Sequence, residues 1–477
     1  MDVRPDIVMV MTDQHAARVM GCTGDAHAQT PALDALAAAG TRFTNAYCNS
    51  PLCVPSRMSF LTGLEPHVSG VLNNDAYLPS DIPTIAHALG AAGYDCHLVG
   101  RMHFYGPDQL HGFAHRPIGD IGASYPGGNP PEIGPLTKGR GNRGPELAHS
   151  GAGETSYQAY DHAVTDQAIE TIEALKAQRA HTGRPFFVLA SLFCPHPPYI
   201  CAREDYDAFD GTLPPPRLPP PNEDHPAIAD WRAAGRTAEI SDENQRISRT
   251  AYYGLVRMID GMCGRVFDLV KDRENTLSIY ASDHGESLGE RGLWWKSVMY
   301  DQSAKVPMIL RGVGFEAGHQ DGRVTSLADL SATILEQANA SLPGHIGHSL
   351  TQDPVAGGRC ISSYYGGLMN IRLPDIRHRM LRQGRFKLIW YDGHDAQLFD
   401  LRSDPDELCN LAEDVRYAST LADLSTQLLD GWSVKQIADA QAIKSAQFSV
   451  IRNWVRKTRP EESYRWFDHT PERNRYT

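Results

Sequence analysis

Residues 186–193 read FFVLASLF, an almost unbroken apolar run. A strand with one face in water alternates apolar and polar side chains, whereas a continuous run of this length belongs to a strand covered on both faces. Such a strand needs helices above and below it, which limits the chain to a layered α/β architecture. The rest of the first three hundred or so residues agrees with that limit. Residues 6–11 (DIVMVM), 95–99, 276–281 (TLSIYA) and 306–310 read as strands, and 31–40, 82–93, 161–177 and 249–271 read as helices between them. Thr30 reads as the N-cap of the first helix and Gly40 as its stop. The fold class that follows is α/β, a large mostly parallel sheet sandwiched by helices.

After about Asp353 the texture changes. Residues 360–365, 379–382, 386–390 and 398–401 read as short strands separated by Gly turns, followed by a helical stretch at 421–442. This predicts a smaller C-terminal α+β domain containing an antiparallel sheet. The expected division is a large unit at 1–354, the small domain at 355–442, and a basic, aromatic extension at 443–477 that contacts a second copy in a homo-oligomer. Two Gly- and Pro-rich stretches, 118–153 and 213–226, are too long for plain connectors, and long loops on α/β folds shape binding sites.

The formal net charge of −12 argues against a nucleic-acid binder, which needs a basic surface to neutralise phosphates. It leaves room for a small anionic substrate held in a local cationic pocket. No stretch is long and apolar enough to span a membrane, and the first residues lack the pattern of a secretory signal, so the expectation is a cytoplasmic protein without a membrane partner. Nine cysteines, with no C-x-x-C pair, give neither a disulfide framework nor a structural zinc site.

In an open parallel sheet, functional groups gather where strands end. Asp13 follows the first strand, Asp283 and His284 follow 276–281, and His196 follows 186–193 in the context C-P-H-P-P. Two carboxylates and an imidazole converging at one sheet edge suit a divalent cation. The bland alternative for Asp13 is a helix N-cap.

The strongest local signal is 52–63, LCVPSRMSFLTG. Cys53-Val54-Pro55-Ser56-Arg57 followed by Thr62-Gly63 resembles the signature of type I sulfatases, members of the alkaline phosphatase superfamily. Other segments match that family in order. Thr12-Asp13-Gln14-His15 and Ser282-Asp283-His284-Gly285-Glu286 resemble its metal segments, Gly100-Arg101-Met102-His103 its Gly-Lys-x-His element, and Lys296 its late lysine. Within the family, 78–84 and 102–113 are similar to choline sulfatases and to their phosphonate monoester hydrolase relatives, and Asn74 matches a pocket asparagine of both groups.

The resemblance implies a sulfuric ester hydrolase whose cysteine, here Cys53, is oxidised to formylglycine by a separate formylglycine-generating enzyme. It implies that Asp13, Gln14, Asp283 and His284 hold a divalent cation together with the modified Cys53, most naturally Ca2+, with Mn2+ the alternative because a His donor is present. Hydrated formylglycine carries two hydroxyls on one carbon. One attacks sulfur and expels the alcohol; loss of the other's proton then ejects sulfate and restores the aldehyde, a release that an ordinary serine cannot drive. Arg57 is implied to orient the nucleophile, His103 to take the second hydroxyl's proton, and His196 and Lys296 to bind sulfate and assist the leaving oxygen.

Three departures stand out. Arg101 occupies the family's lysine position; it keeps the charge but cannot donate a proton at neutral pH, and its fork needs more room. The loop 118–153 has Tyr125 as its single aromatic, where choline sulfatases carry more, and Tyr364-Tyr365-Gly366-Gly367 lacks their glutamate. These weigh against choline sulfate as the substrate. The rival readings are a phosphonate monoester or phosphodiester hydrolase, against which His103 argues, and a binding protein that has lost catalysis, against which the intact 53–57 run argues.

Overall fold

The structure, a computed structural model, describes residues 4–128, 136, 143–354, 358–366, 377–467 and 474–477. Seven strands form its main sheet: β1 (Asp6–Asp13), β2 (Thr41–Tyr47), β3 (Asp95–Gly100), β5 (Phe186–Pro195), β7 (Thr276–Ser282), β8 (Met308–Arg311) and β9 (His319–Ser326), in the spatial order β3-β5-β1-β7-β8-β2-β9. All neighbours are parallel except β8, which runs against both β7 and β2. The sheet is therefore mostly parallel, as the sequence predicts.

Helices cover both faces, and β1 shows why its sequence is apolar throughout. Val8 and Val10 pack into the core on one face of the sheet, while Ile7, Met9 and Met11 pack into the core on the other. The helices Ser156–Thr182 and Asp242–Asp268 lie on the first face, and Cys53–Thr62, Ile85–Ala91 and Leu327–Gln337 on the second. The first helix, Pro31–Ala38, begins after Thr30, but the Thr30 hydroxyl accepts from Gly21 N instead of capping. Its amides at Ala32 and Leu33 donate instead to the Asp260 carboxylate, at 3.0 and 2.8 Å, from the neighbouring long helix. Gly40 is not the stop; the helix ends at Ala38 with Ala39 as its C-cap.

A second, antiparallel sheet runs β10 (Arg359–Tyr364), β11 (His378–Gln383), β12 (Phe386–Tyr391) and β13 (His394–Asp400) in that order. The stretch expected as one helix at 421–442 is two, Ala418–Leu429 and Val434–Thr458, separated at Gly431, which sits at φ +66°. The anticipated division at 442/443 thus falls inside a helix, and the division at 354/355 adjoins residues 355–357, outside the described set. A third, small sheet joins β14 (Arg475–Tyr476), β4 (Gly151–Glu154) and β6 (Ile200–Cys201).

The C-terminal extension lies on its own chain. Trp466 N donates to Asp120 O at 2.9 Å, the Glu462 carboxylate accepts from Ser124 N at 2.5 Å, and Arg475 and Tyr476 pair with β4. Among the described residues no helix is long and apolar enough to cross a membrane.

Candidate active site

The strands β1, β3, β5 and β7 are parallel, so their C-terminal ends meet at one edge. Asp13 ends β1, Asp283 and His284 follow β7, Arg101 follows β3, and His196 follows β5. Cys53 reaches the same place as the first residue of the helix Cys53–Thr62, which enters after β2. Asn74 Oδ1 accepts from Val54 N at 2.9 Å, so this residue satisfies one of the otherwise unpaired amides at the helix start. The helix's partial positive end thereby points at the cysteine.

Arg57, one helical turn further on and fully buried, organises the centre. Its Nε donates to Asp283 Oδ2 at 2.8 Å and its Nη2 to Asp13 Oδ2 at 3.2 Å. Arg101 Nε takes the same Asp13 oxygen at 2.7 Å. The arginines therefore claim Oδ2 of both carboxylates; Asp13 Oδ1 is turned inward, and Asp283 Oδ1 accepts from Gln14 N at 3.0 Å and His284 N at 2.9 Å. Asp13 Oδ1 lies 3.7 Å from Cys53 Sγ and 3.6 Å from His284 Nε2. Asp283 Oδ1 also lies 3.6 Å from His284 Nε2. The His284 Nδ1 bonds Gly285 O at 3.0 Å, which fixes the ring so that Nε2 faces Cys53 Sγ at 3.3 Å.

Asp13, Cys53, Asp283 and His284, all buried, thus present four donor atoms that lie within 4.8 Å of one another. One oxygen from each of two carboxylates, one imidazole nitrogen and the side chain at 53 are a donor set that fits a divalent cation. Asp13 caps no helix; it is the last residue of β1. Gln14 adjoins the cluster at φ +72°, its Nε2 held by Glu286 Oε2 at 2.5 Å and its Oε1 accepting from Lys296 Nζ at 2.6 Å. Lys296 Nζ also lies 3.2 Å from Cys53 Sγ.

His103 and His196 stand beside the cysteine as well, and both favour its ionised form. His196 Nδ1 bonds Pro197 O at 2.7 Å and its ring meets Phe193 edge-on. His103 sits at φ +61°, and its Nδ1 faces Arg101 Nη2 at 3.1 Å. The turn that bears it needs Gly100, whose φ is +99° and where a Cβ would stand 2.3 Å from Ser191 O. Arg101 has the room its fork requires: the guanidinium lies over the Phe193 ring and spans from Asp13 to Asp120.

The charges shift one another. Burial alone raises the Cys53 thiol, but Lys296, His284 and the bonds from His103 and His196 hold it well below its usual range. Burial and Cys53 push Asp13 up, and Arg101, His196 and Arg57 outweigh them, leaving it low. Burial raises Asp283 against the pull of Arg57. Burial, reinforced by Lys296, lowers His196 to about 4, so its ring is neutral at pH 7. Burial would lower His284 as well, but Asp283 brings it above its ordinary value.

All eleven residues singled out from sequence meet at this edge. Sequence reasoning missed Asp120, which is buried and accepts from His103 N at 2.8 Å, Met102 N at 3.2 Å and Arg116 Nη2 at 2.8 Å. It lies in the Gly- and Pro-rich stretch 118–153, where no periodicity marks it; residues 129–135 and 137–142 of that stretch lie outside the described set. Tyr105, whose ring centre is 5.5 Å from that of His103, was missed too.

The sulfatase family profile matches residues 5–340, and the profile for the C-terminal part of N-sulphoglucosamine sulphohydrolase matches residues 289–433. The choline-sulfatase of Rhizobium meliloti strain 1021 is 32% identical, with 98% of this chain and 94% of that protein covered. Arylsulfatase K of Canis lupus familiaris is 28% identical over 86% of this chain and 79% of that protein. Among solved structures, a phosphonate monoester hydrolase from Silicibacter pomeroyi superimposes with a TM-score of 0.73 at 24% identity, covering 90% of this chain and 95% of that one.

Removing Arg57 leaves two buried carboxylates without their shared partner, a loss of about 3–5 kcal/mol for such a pair. Arg57→Ala is expected to lower the urea midpoint accordingly when unfolding is followed in excess chelator. An unchanged midpoint would show that the guanidinium does not hold the two strand ends together.

Proposed function

The chain belongs to the sulfatase family and is a sulfuric ester hydrolase, and we propose that it works through position 53 with a divalent cation held by Asp13, Gln14, Asp283 and His284. The observation that carries this reading is the convergence of one donor atom each from Asp13, Cys53, Asp283 and His284 within 4.8 Å, with Oδ2 of both carboxylates tied to arginine and Asp13 Oδ1 turned to Cys53 and His284. The donors are mainly oxygens, which favours Ca2+, with Mn2+ second because of the imidazole. Such an ion supplies charge neutralisation for an anionic ester. Formylglycine made from Cys53 would supply, once hydrated, one hydroxyl as the nucleophile toward sulfur and a second whose deprotonation would release sulfate.

The surrounding side chains divide the remaining work. Lys296, 3.2 Å from Sγ, sits where it offsets the negative oxygens of the substrate. His196, neutral at pH 7, binds those oxygens and steers the leaving group. His103 is the candidate to take the proton of the second hydroxyl. Arg101, hydrogen-bonded to Asp13 and facing His103, serves as a fixed charge and not as a proton donor. Asn74, by capping the helix start, sets the position of the nucleophile.

A sulfate monoester and a phosphonate monoester each carry one negative charge, so the two reactions are separated by measurement. Protein whose oxidation at position 53 has been verified by mass spectrometry is expected to turn over an aryl sulfate faster than the matched aryl phosphonate monoester. The opposite preference would replace this reading with that of a phosphonate hydrolase. Chelator is expected to abolish turnover and added Ca2+ to restore it.

Asp120 acts as a positioning residue for His103 and Arg101. Asp120→Ala is expected to lower kcat about 10- to 100-fold, as for a misplacement of about 1 Å, while KM changes little. Asp120→Asn, which keeps an acceptor for the two amides, is expected to recover most of the loss. Equal losses in KM and kcat, with no rescue by Asn, would assign Asp120 to general stability instead.

A further inference from the structure

At the opposite end of β3 stands a second group of metal-ligating side chains that the sulfatase reaction does not use. Asp95 opens β3, His97 lies two residues on, and His115 comes from the returning segment that runs beside the strand. Five residue steps separate Asp95 from Gly100, about 17 Å of strand at roughly 3.3 Å each, so the group is clear of the cluster around Cys53.

The arrangement is built by backbone pairing. Leu98 N donates to His115 O at 2.9 Å and Ala114 N to Cys96 O at 2.9 Å, and His97 and His115 form a parallel bridge. That pairing stacks the two imidazoles, with ring centres 4.5 Å apart and planes inclined by 29°. His97 Nε2 lies 3.1 Å and His115 Nε2 3.9 Å from the same oxygen, Asp95 Oδ1. The other oxygen is committed elsewhere: Gln178 Nε2 donates to Asp95 Oδ2 at 3.4 Å, and Arg184 Nη1 lies 3.8 Å from it. The carboxylate is thus oriented by one oxygen and offers the other to the two histidines. One ligand atom from each of the three residues lies within 4.8 Å of the other two. Ligands about 2.0–2.2 Å from a tetrahedral ion stand roughly 3.3 Å apart, so a small closing movement of the side chains would complete the site.

We propose that Asp95, His97 and His115 form a peripheral metal site that takes a borderline transition-metal ion of the zinc, cobalt or nickel class, with solvent filling the remaining positions. Two imidazoles to one carboxylate select this class over the hard cations calcium and magnesium, which take oxygen donors. Asp95 is nearly buried and held, His97 is half-buried, and His115 is exposed, so the ion enters from solvent and His115 closes on it. The ion would tie the start of β3 to the segment 114–118 and clamp the base of the excursion whose other end carries Arg101 and His103.

The test uses the untagged full-length protein saturated with Ca2+, so that the cluster around Cys53 is occupied. Titration with Co2+ is expected to give visible d–d absorption with one saturable equivalent, and addition of Zn2+ to remove it. His115→Ala, a change at an exposed side chain, is expected to lose that equivalent, lowering affinity at least 10-fold, while leaving the urea midpoint of the metal-free protein and sulfatase turnover unchanged. His97→Ala is expected to lose it as well. If wild type binds no Co2+ beyond the Ca2+-filled site, or if both variants bind as tightly as wild type, the proposal is wrong. Because the readout is absorption in Ca2+-loaded protein, failure here leaves the reading of the Cys53 site untouched.

Discussion

The guanidinium of Arg57 is the constraint on which the site depends. Parallel strands β1 and β7 bring two aspartates to adjacent ends, where both are buried and of like charge. Uncompensated, such a pair is costly in a low-dielectric interior. Arg57 meets it with one nitrogen to each, and its Nη1 reaches back to Arg101 O and Ser191 Oγ at 2.9 Å, so the same side chain also spans β3 and β5. The helix that carries Arg57 carries Cys53 one turn earlier. Fixing the arginine between the strands therefore fixes the cysteine above them.

The second consequence is directional. Because arginine takes Oδ2 of each carboxylate, Asp13 Oδ1 faces the cysteine and the imidazole of His284, while Asp283 Oδ1 is fixed by the Gln14 and His284 amides. The substitution of Arg101 for the family's lysine fits this scheme without crowding, since the fork lies over Phe193 and adds a second grip on Asp13. What arginine gains in geometry it gives up in proton exchange, so proton movement in the proposed reaction falls to His103 and His196. His103 is in turn held through its amide by Asp120, whose own carbonyl is tied down by Trp466 from the C-terminal extension. The C-terminal extension thus touches the residue that holds His103.

Much of this was legible in the sequence, for physical reasons that differ by element. Strands β1, β5 and β7 are covered on both faces, so their composition alone declares them. The residues of the site were legible because strand ends in a parallel sheet must converge and because the segment 52–63 is distinctive. Strand β9, HQDGRVTS, escaped notice because it is the sheet's edge and largely polar, and β2, TRFTNAY, because only some of its positions are buried. Nothing in TRFTNAY or in MILR foretells that β8 runs antiparallel between its neighbours. Thr30 does stand at the N-cap of Pro31–Ala38, but the side chain that meets the helix's first amides is Asp260, which lies far along the chain, and only the packing of two helices brings its carboxylate there. Asp120 was hidden because a lone acid among glycines and prolines carries no pattern; its role exists only once β3 and the returning segment are laid side by side.

The proposed reaction turns on having two hydroxyls at position 53, one to attack and one to release. The Cys53→Ser variant supplies only the first. Incubated with an aryl sulfate and the divalent cation, it is expected to release one equivalent of the phenol, stop, and retain one sulfuryl group on the peptide spanning residues 53–57, read by mass spectrometry. Sustained turnover by that variant, or a burst with the sulfuryl group carried on any other residue, would contradict the account.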